Sequence, residues 1–252
     1  MKKLVQFVFN KFGYSVTKSG SNKSNPVNRD ITDKEFRELY SFCKPYTMTS
    51  VERMYALYLS VKYILVNDIK GDFIECGVWR GGSAMLIAKL LNNYKAKNRT
   101  LFLFDTFEGM SAPTDEDKDF KGVTASSLLQ QSPNIKEDSI WCYSSYEEVQ
   151  ENMKQVGFES IQLIKGKVEE TINEVKPFDK IALLRLDTDW YDSTLHELNH
   201  LYPLLNLGGV LIIDDYGHWE GCRKAVDEYF DKEKIKMLLT RIDYTGRIGI
   251  KN

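Results

Sequence analysis

The chain has 252 residues and 42% apolar and 12% aromatic content, which fits one large α/β domain with extensions and excludes a disordered chain. Its 34 basic and 36 acidic side chains leave a formal charge of -2, which excludes a global field for nucleic acid or for a strongly anionic membrane. Cys43, Cys76, Cys142 and Cys222 form no CxxC pair, which argues against a zinc site or a disulfide scaffold and for a reduced, cytoplasmic protein.

The opening run MKKLVQFVF has a basic start, but its apolar stretch is short and no small-residue cleavage site follows, so no secretory signal is expected. No stretch is long enough to span a bilayer. Leu4, Val5, Val8, Phe9 and Phe12 recur at helical spacing beside Lys2, Lys3 and Lys11. This amphipathic helix is expected to pack on its own domain or on a second subunit in a homo-oligomer, with a membrane surface as the alternative. Residues 18–30 are polar and aperiodic and read as a linker, which divides the chain into an extension over 1–30 and a catalytic domain over 31–252.

Thr32 with Glu35 reads as a capping box opening a helix to about Lys44, and Thr49 with Glu52 opens a second. From there strand and helix alternate: DFIEC (72–76), a helix over 83–94, TLFLFD (100–105), a helix capped by Ser145, then IQLIKG (161–166), KIALLRLD (180–187) and GGVLIIDD (208–215). Strands apolar on both faces belong in a parallel sheet covered by helices. The tail KMLLTRID and GRIGIK reads as two further strands joined by a turn at Tyr244, Thr245 and Gly246. The fold class is therefore α/β and Rossmann-like: a mostly parallel seven-stranded sheet with an antiparallel edge, the methyltransferase variant of the doubly wound fold.

In such sheets ligands bind outside the carboxyl ends of the strands, where strand order reverses. Three strand ends carry chemistry. In ECGVWRGGSA (75–84) the pattern is acid-x-Gly-x-x-x-Gly-x-Ser; Trp79 stands where a dinucleotide fingerprint has its second glycine, and the run resembles the first motif of S-adenosylmethionine methyltransferases. Asp105 ends the next strand, where an acid can accept hydrogen bonds from both hydroxyls of a ribose; the competing reading is a turn former. Asp187, Asp214 and Asp215 end two strands expected to be neighbours, and crowded carboxylates call for a hard cation such as Mg2+, unless they cap helices or pair with Arg185 and Arg223. The polar segment 111–122 reads as a lid or as a solvated acidic loop, and His196 and His200 lack a third ligand, so they are assigned to packing.

TMTSVERMYAL, DFIECGVWRGGS, LFDTFEGM, RLDTDWYDST, LGGVLIIDDYG and GCRKAVDEYF, in this order across residues 45–232, resemble the macrocin O-methyltransferase family. The resemblance implies a class I methyltransferase fold, S-adenosylmethionine, Mg2+, and methylation of a sugar hydroxyl on a natural product or glycan. It implies that Gly77, Gly81, Ser83 and Asp105 hold the cofactor, with Glu75, Val78, Trp79, Thr106, Met48 and Glu169 around it, and that Asp187, Asp214 and Asp215 hold the metal. A more distant likeness to catechol O-methyltransferase implies the same metal arrangement, but Trp190 stands where that enzyme has a lysine base. The catalytic candidates are then Asp187 at the metal and either Asp189 or His218 as proton acceptor. The rival readings are methylation of a phenol or catechol, and a non-catalytic module that only binds S-adenosylmethionine.

Overall fold

The computed structural model describes residues 28–136, 139–174 and 179–252. The chain divides into two compact units, Met1–Thr32 and Asp33–Asn252, and every element named below belongs to the second. The amphipathic helix expected near the amino terminus lies outside the described residues.

Two helices come first, α1 (Lys34–Cys43) and α2 (Val51–Val66). Both caps differ by one residue from the sequence reading. Asp33, not Thr32, accepts from the Phe36 amide, and Ser50, not Thr49, accepts from the Arg53 amide. The Glu35 carboxylate is turned away from any capping box and takes the Tyr58 hydroxyl at 2.9 Å. Each true cap sits one position nearer the apolar run, where its side chain can reach the amide three residues on.

The alternating part follows as β1 (Asp72–Cys76), α3 (Gly82–Asn93), β2 (Leu101–Asp105), α4 (Ala125–Gln131), α5 (Tyr146–Lys154), β3 (Ile161–Lys165), α6 (Val168–Glu174), β4 (Ile181–Leu186), α7 (Tyr191–Leu201), β5 (Leu205–Ile213) and α8 (Glu220–Lys232). The expected Ser145 cap is present, accepting from the Glu148 amide at 3.2 Å. Short strands β6 (Thr240–Arg241) and β7 (Arg247–Ile250) close the chain. The sheet runs β3-β2-β1-β4-β5-β7-β6, parallel through β5, with β7 antiparallel to β5 and β6 antiparallel to β7. All six residues of β4 are buried, and all but Arg185 are apolar. Helices α1 and α2 both pack on α3, and α7 packs on α8.

Strand order reverses between β1 and β4, and the register there fixes the site. Cys76 pairs with Leu186, and Leu186 with Ile213, so three central strands end in step. Hydrogen bonds continue one residue past the ends, from Gly77 N to Phe104 O at 2.9 Å, Asp187 N to Cys76 O at 2.8 Å and Asp214 N to Leu186 O at 2.9 Å. Gly77, Asp187 and Asp214 therefore emerge side by side on the carboxyl edge, where ligands bind in folds of this topology.

Candidate active site

A cavity of about 480 Å3 opens at this edge. Met48, Gly77, Val78, Trp79, Ser83, Asp105, Thr106 and Glu169 line it together with Asp187, Asp189, Asp214, Asp215 and His218. Two residues expected on the cofactor side do not line it. Glu75 points into the sheet, 1% exposed, where Arg185 Nη1 donates to its Oε1 at 2.6 Å. Glu75 and Arg185 are register partners on neighbouring strands, so their side chains stand on the same face of the sheet and meet there. Gly81 is instead the amino cap of α3, left-handed at φ 90°, and its neighbour Gly82 lines the cavity. A Cβ on Gly82 would lie 2.6 Å from the Tyr46 carbonyl oxygen, so that glycine lets the segment before α2 close over the helix start. At Gly77, with φ 82°, a Cβ would strike the Asp187 carbonyl.

Asp105 is engaged by its own chain. Its Oδ2 accepts from the amides of Val78 at 2.6 Å and Trp79 at 3.1 Å, and its Oδ1 from Phe107 N at 2.7 Å. The turn-forming reading is thus realised in full, and the carboxylate ties the glycine turn after β1 to the end of β2. Burial pushes its pKa up, against the pull of those amides. Trp79, Cys142 and Asp189, all lining the cavity, hold positive φ values of 49°, 46° and 68°. A non-glycine residue in that region costs about 1–2 kcal/mol, and such strain clusters where geometry is dictated by a site.

Asp187, Asp214 and Asp215 offer carboxylate oxygens that all lie within 4.8 Å of one another. Two arginines reach into this cluster. Arg185 donates to Asp187 at 2.7 Å and to Asp214 at 2.7 Å, and Arg53 from α2 pairs with Asp214 and, at 3.1 Å, with Asp243. The pairing reading therefore holds for Arg185 but not for Arg223, which sits beside Glu220 at 3.9 Å. The acids nevertheless outnumber the arginines. Asp215 Oδ2 is buried with no partner, and burial, with neighbouring carboxylates adding to it, lifts Asp187 and Asp215 well above the ordinary range. Burial, then Asp187, pushes the Asp189 carboxyl up to about 7. Burial lowers the pKa of His218. His196 and His200 stack on each other with ring centroids 4.1 Å apart and stand outside the cavity lining.

Segment 111–122 is exposed over much of its length but pinned at several points. Asp117 is fully buried and accepts from the Tyr191 amide at the head of α7 at 2.8 Å. Trp190 Nε1 donates to the Ser111 carbonyl at 3.0 Å, and the Glu220 amide to the Lys118 carbonyl at 2.8 Å. The acidic composition hid two buried anchors, Asp117 and Asp119, among exposed neighbours. Arg53 and Ser193, which donates to Glu169 at 2.8 Å, were also missed, because nothing local marks a helix residue for a contact across the fold.

The sheet order and the strand-end cavity define a Rossmann-like methyltransferase fold. The solved structure of the O-methyltransferase NovP shares it, with a TM-score of 0.71 and 30% identity, 82% of each chain being covered. The profile of the macrocin-O-methyltransferase (TylF) family matches residues 14–248, and the chain belongs to that family. It is an enzyme of the O-methyltransferase class. Mycinamicin III 3''-O-methyltransferase of Micromonospora griseorubida is 33% identical over 203 residues, 80% of this chain and 76% of the relative. Demethyldecarbamoylnovobiocin O-methyltransferase of Streptomyces niveus is 32% identical over 203 residues, 80% and 74% of the two chains. A third relative, 8-demethyl-8-(2,3-dimethoxy-alpha-L-rhamnosyl)-tetracenomycin-C 4'-O-methyltransferase of Streptomyces olivaceus, is 30% identical over 203 residues, again 80% and 74%.

Proposed function

We propose that the enzyme moves a methyl group from S-adenosylmethionine to a sugar hydroxyl on a glycosylated small molecule, with a divalent cation such as Mg2+ held by Asp187, Asp214 and Asp215. One observation carries this reading: the acidic cluster and the glycine turn that opens α3 face the same cavity. The rhamnosyl group named in one relative's acceptor supports the sugar.

The residues present fit both missing groups. The amino terminus of α3 opens on the cavity beside Gly82 and Ser83, and a helix start suits the carboxylate of an amino-acid ligand. The cavity is within the range that takes a ligand of this size. Three convergent carboxylates, one with an orphaned buried oxygen, are a hard oxygen donor set. A bound Mg2+ would lower the pKa of a sugar hydroxyl and fix its direction.

The chain's own residues do the rest. Asp189, at the cavity wall with its carboxyl near 7, takes the hydroxyl proton as the oxygen–methyl bond forms and the carbon–sulfur bond breaks. Arg185 and Arg53 hold the carboxylates in register, which preorganises the site before either substrate arrives. Trp190 and Trp219 pack edge to face with ring centroids 4.9 Å apart, and Trp219 hydrogen-bonds to Asp189, which orients that carboxyl. Methyl transfer from labelled S-adenosylmethionine to panels of glycosides and phenols tests the reading. Glycosides should be methylated, whereas labelling confined to phenols would overturn the sugar assignment.

A further inference from the structure

Two loops, anchored independently, bring half-exposed aromatic rings to either side of His218, a residue of the cavity lining. In the first, buried Asp117 is bound to the head of α7, and Asp119 Oδ1 takes the amides of Lys121 and Val123, both at 2.9 Å. A backbone bridge joins Asp119 to Trp219. Between these anchors Phe120 stands 55% exposed, its ring centroid 5.4 Å from that of His218. The second loop is the β6–β7 turn, where Asp243 Oδ1 takes the amides of Thr245 at 2.9 Å and Gly246 at 2.7 Å. Thr245 Oγ1 then donates to the Asp214 carbonyl at 2.6 Å, fixing the turn to the acidic cluster. It presents Tyr244, also 55% exposed, with its ring 6.0 Å from His218 and 6.2 Å from Phe120. The Tyr244 hydroxyl lies 3.2 Å from His218 Nδ1.

Leaving two aromatic rings half in water forgoes burial that a mobile loop would seek by folding inward. Here both loops are held by carboxylates on backbone amides, so the rings stay outward. His218 and Tyr244 line the cavity whose wall also carries Asp214 and Asp215. Aromatic surface beside a cavity whose wall carries the acidic cluster suits a ring with an apolar C–H face toward the aromatic rings and a hydroxyl edge toward the cluster. Lys121 Nζ is 5.3 Å from the Phe120 centroid and adds a further donor at the same rim.

We infer that Phe120, His218 and Tyr244 form the acceptor subsite, against which the pyranose ring of a glycoside packs with the reacting hydroxyl turned inward and the rest of the molecule in solvent. This rests on the proposed sugar methylation. The test uses the full-length enzyme with Mg2+, S-adenosylmethionine and a glycoside that the wild type methylates. Phe120→Leu and Tyr244→Leu should each lower kcat/KM by roughly tenfold through KM, because an apolar side chain without a π face does not replace the ring. Phe120→Tyr should retain activity. Calorimetric affinity for S-adenosylmethionine should be unchanged in all three, which also reports that they are folded. Leucine variants with unchanged kcat/KM, or with a fall in kcat alone, overturn the subsite while leaving sugar methylation standing. A wild type that methylates no glycoside overturns both.

Discussion

Arg185 Nη2 donates to Asp214 Oδ1 across 2.7 Å, joining the end of β4 to the end of β5 beneath the acidic cluster. The same guanidinium reaches Glu75 on β1 and Asp187, so one cation, 2% exposed, ties three strand ends together. Removing one member of a buried ion network leaves its partners charged and unpaired, at about 3–5 kcal/mol. Arg185→Met should therefore lower unfolding stability by about that amount, read from urea denaturation, with Arg185→Lys intermediate because an ammonium lacks the planar fork. A methionine variant as stable as the wild type would show that the network is not holding the strand ends.

Glu197 on α7 is fully buried; its Oε1 accepts from Thr188 Oγ1 at 3.0 Å, the Cys76 thiol lies against the carboxyl, and its Oε2 has no hydrogen-bond partner among the described residues. Burial raises its pKa well above 4.5 in the folded protein. The favourable balance is then complete below pH 4.5 and is lost as pH rises toward the folded value, because the unfolded chain ionises first. Glu197→Gln keeps an acceptor for Thr188 and removes that slope. Its melting temperature should exceed that of the wild type at neutral pH, with the difference shrinking toward pH 4.5. A difference independent of pH would mean that Glu197 is not held neutral.

Asp105 gathers three backbone amides. Asp105→Ala should release the Val78–Trp79 turn and weaken S-adenosylmethionine binding by about 10- to 100-fold, the loss of charge-assisted hydrogen bonds. Amide hydrogen exchange at Val78 and Trp79 should accelerate in the same variant. Weaker binding with unchanged exchange would return Asp105 to direct ribose contact, and unchanged affinity would remove it from the site.

Asp189 and His218 are the two candidates for accepting the hydroxyl proton, and variants separate them. Asp189→Asn should lower kcat by about 100- to 10,000-fold, the range for a lost general base, while S-adenosylmethionine affinity holds. His218→Gln should mainly raise the KM of the acceptor. The opposite pattern would make His218 the base and Asp189 an orienting residue.

What the sequence disclosed follows from physics that acts locally. Strands buried on both faces are predominantly apolar, so β1, β2 and β4 were legible to within a residue even though β1 and β4 carry the buried Glu75–Arg185 pair. Acids that end neighbouring parallel strands must converge, so Asp187, Asp214 and Asp215 were legible as a group. Contacts across the fold were not. Arg53 meets Asp214 from 161 positions away, and its helix gives no sign of it. Glu75 read as a cofactor ligand because its motif position matched, yet its charge is used by Arg185. Asp117 was lost in an acidic run, where composition suggests solvent and only the packing of α7 and α8 shows an anchor.

The central claim is that the acidic cluster holds a divalent cation that methyl transfer requires. Turnover measured after exhaustive chelation, then after adding Mg2+, tests it most directly, with Asp215→Asn as the companion variant because its Oδ2 has no hydrogen-bond partner among the described residues. Chelation should abolish methylation, Mg2+ should restore it in the wild type, and the variant should stay inactive while binding S-adenosylmethionine normally. Full turnover in excess chelator would contradict it.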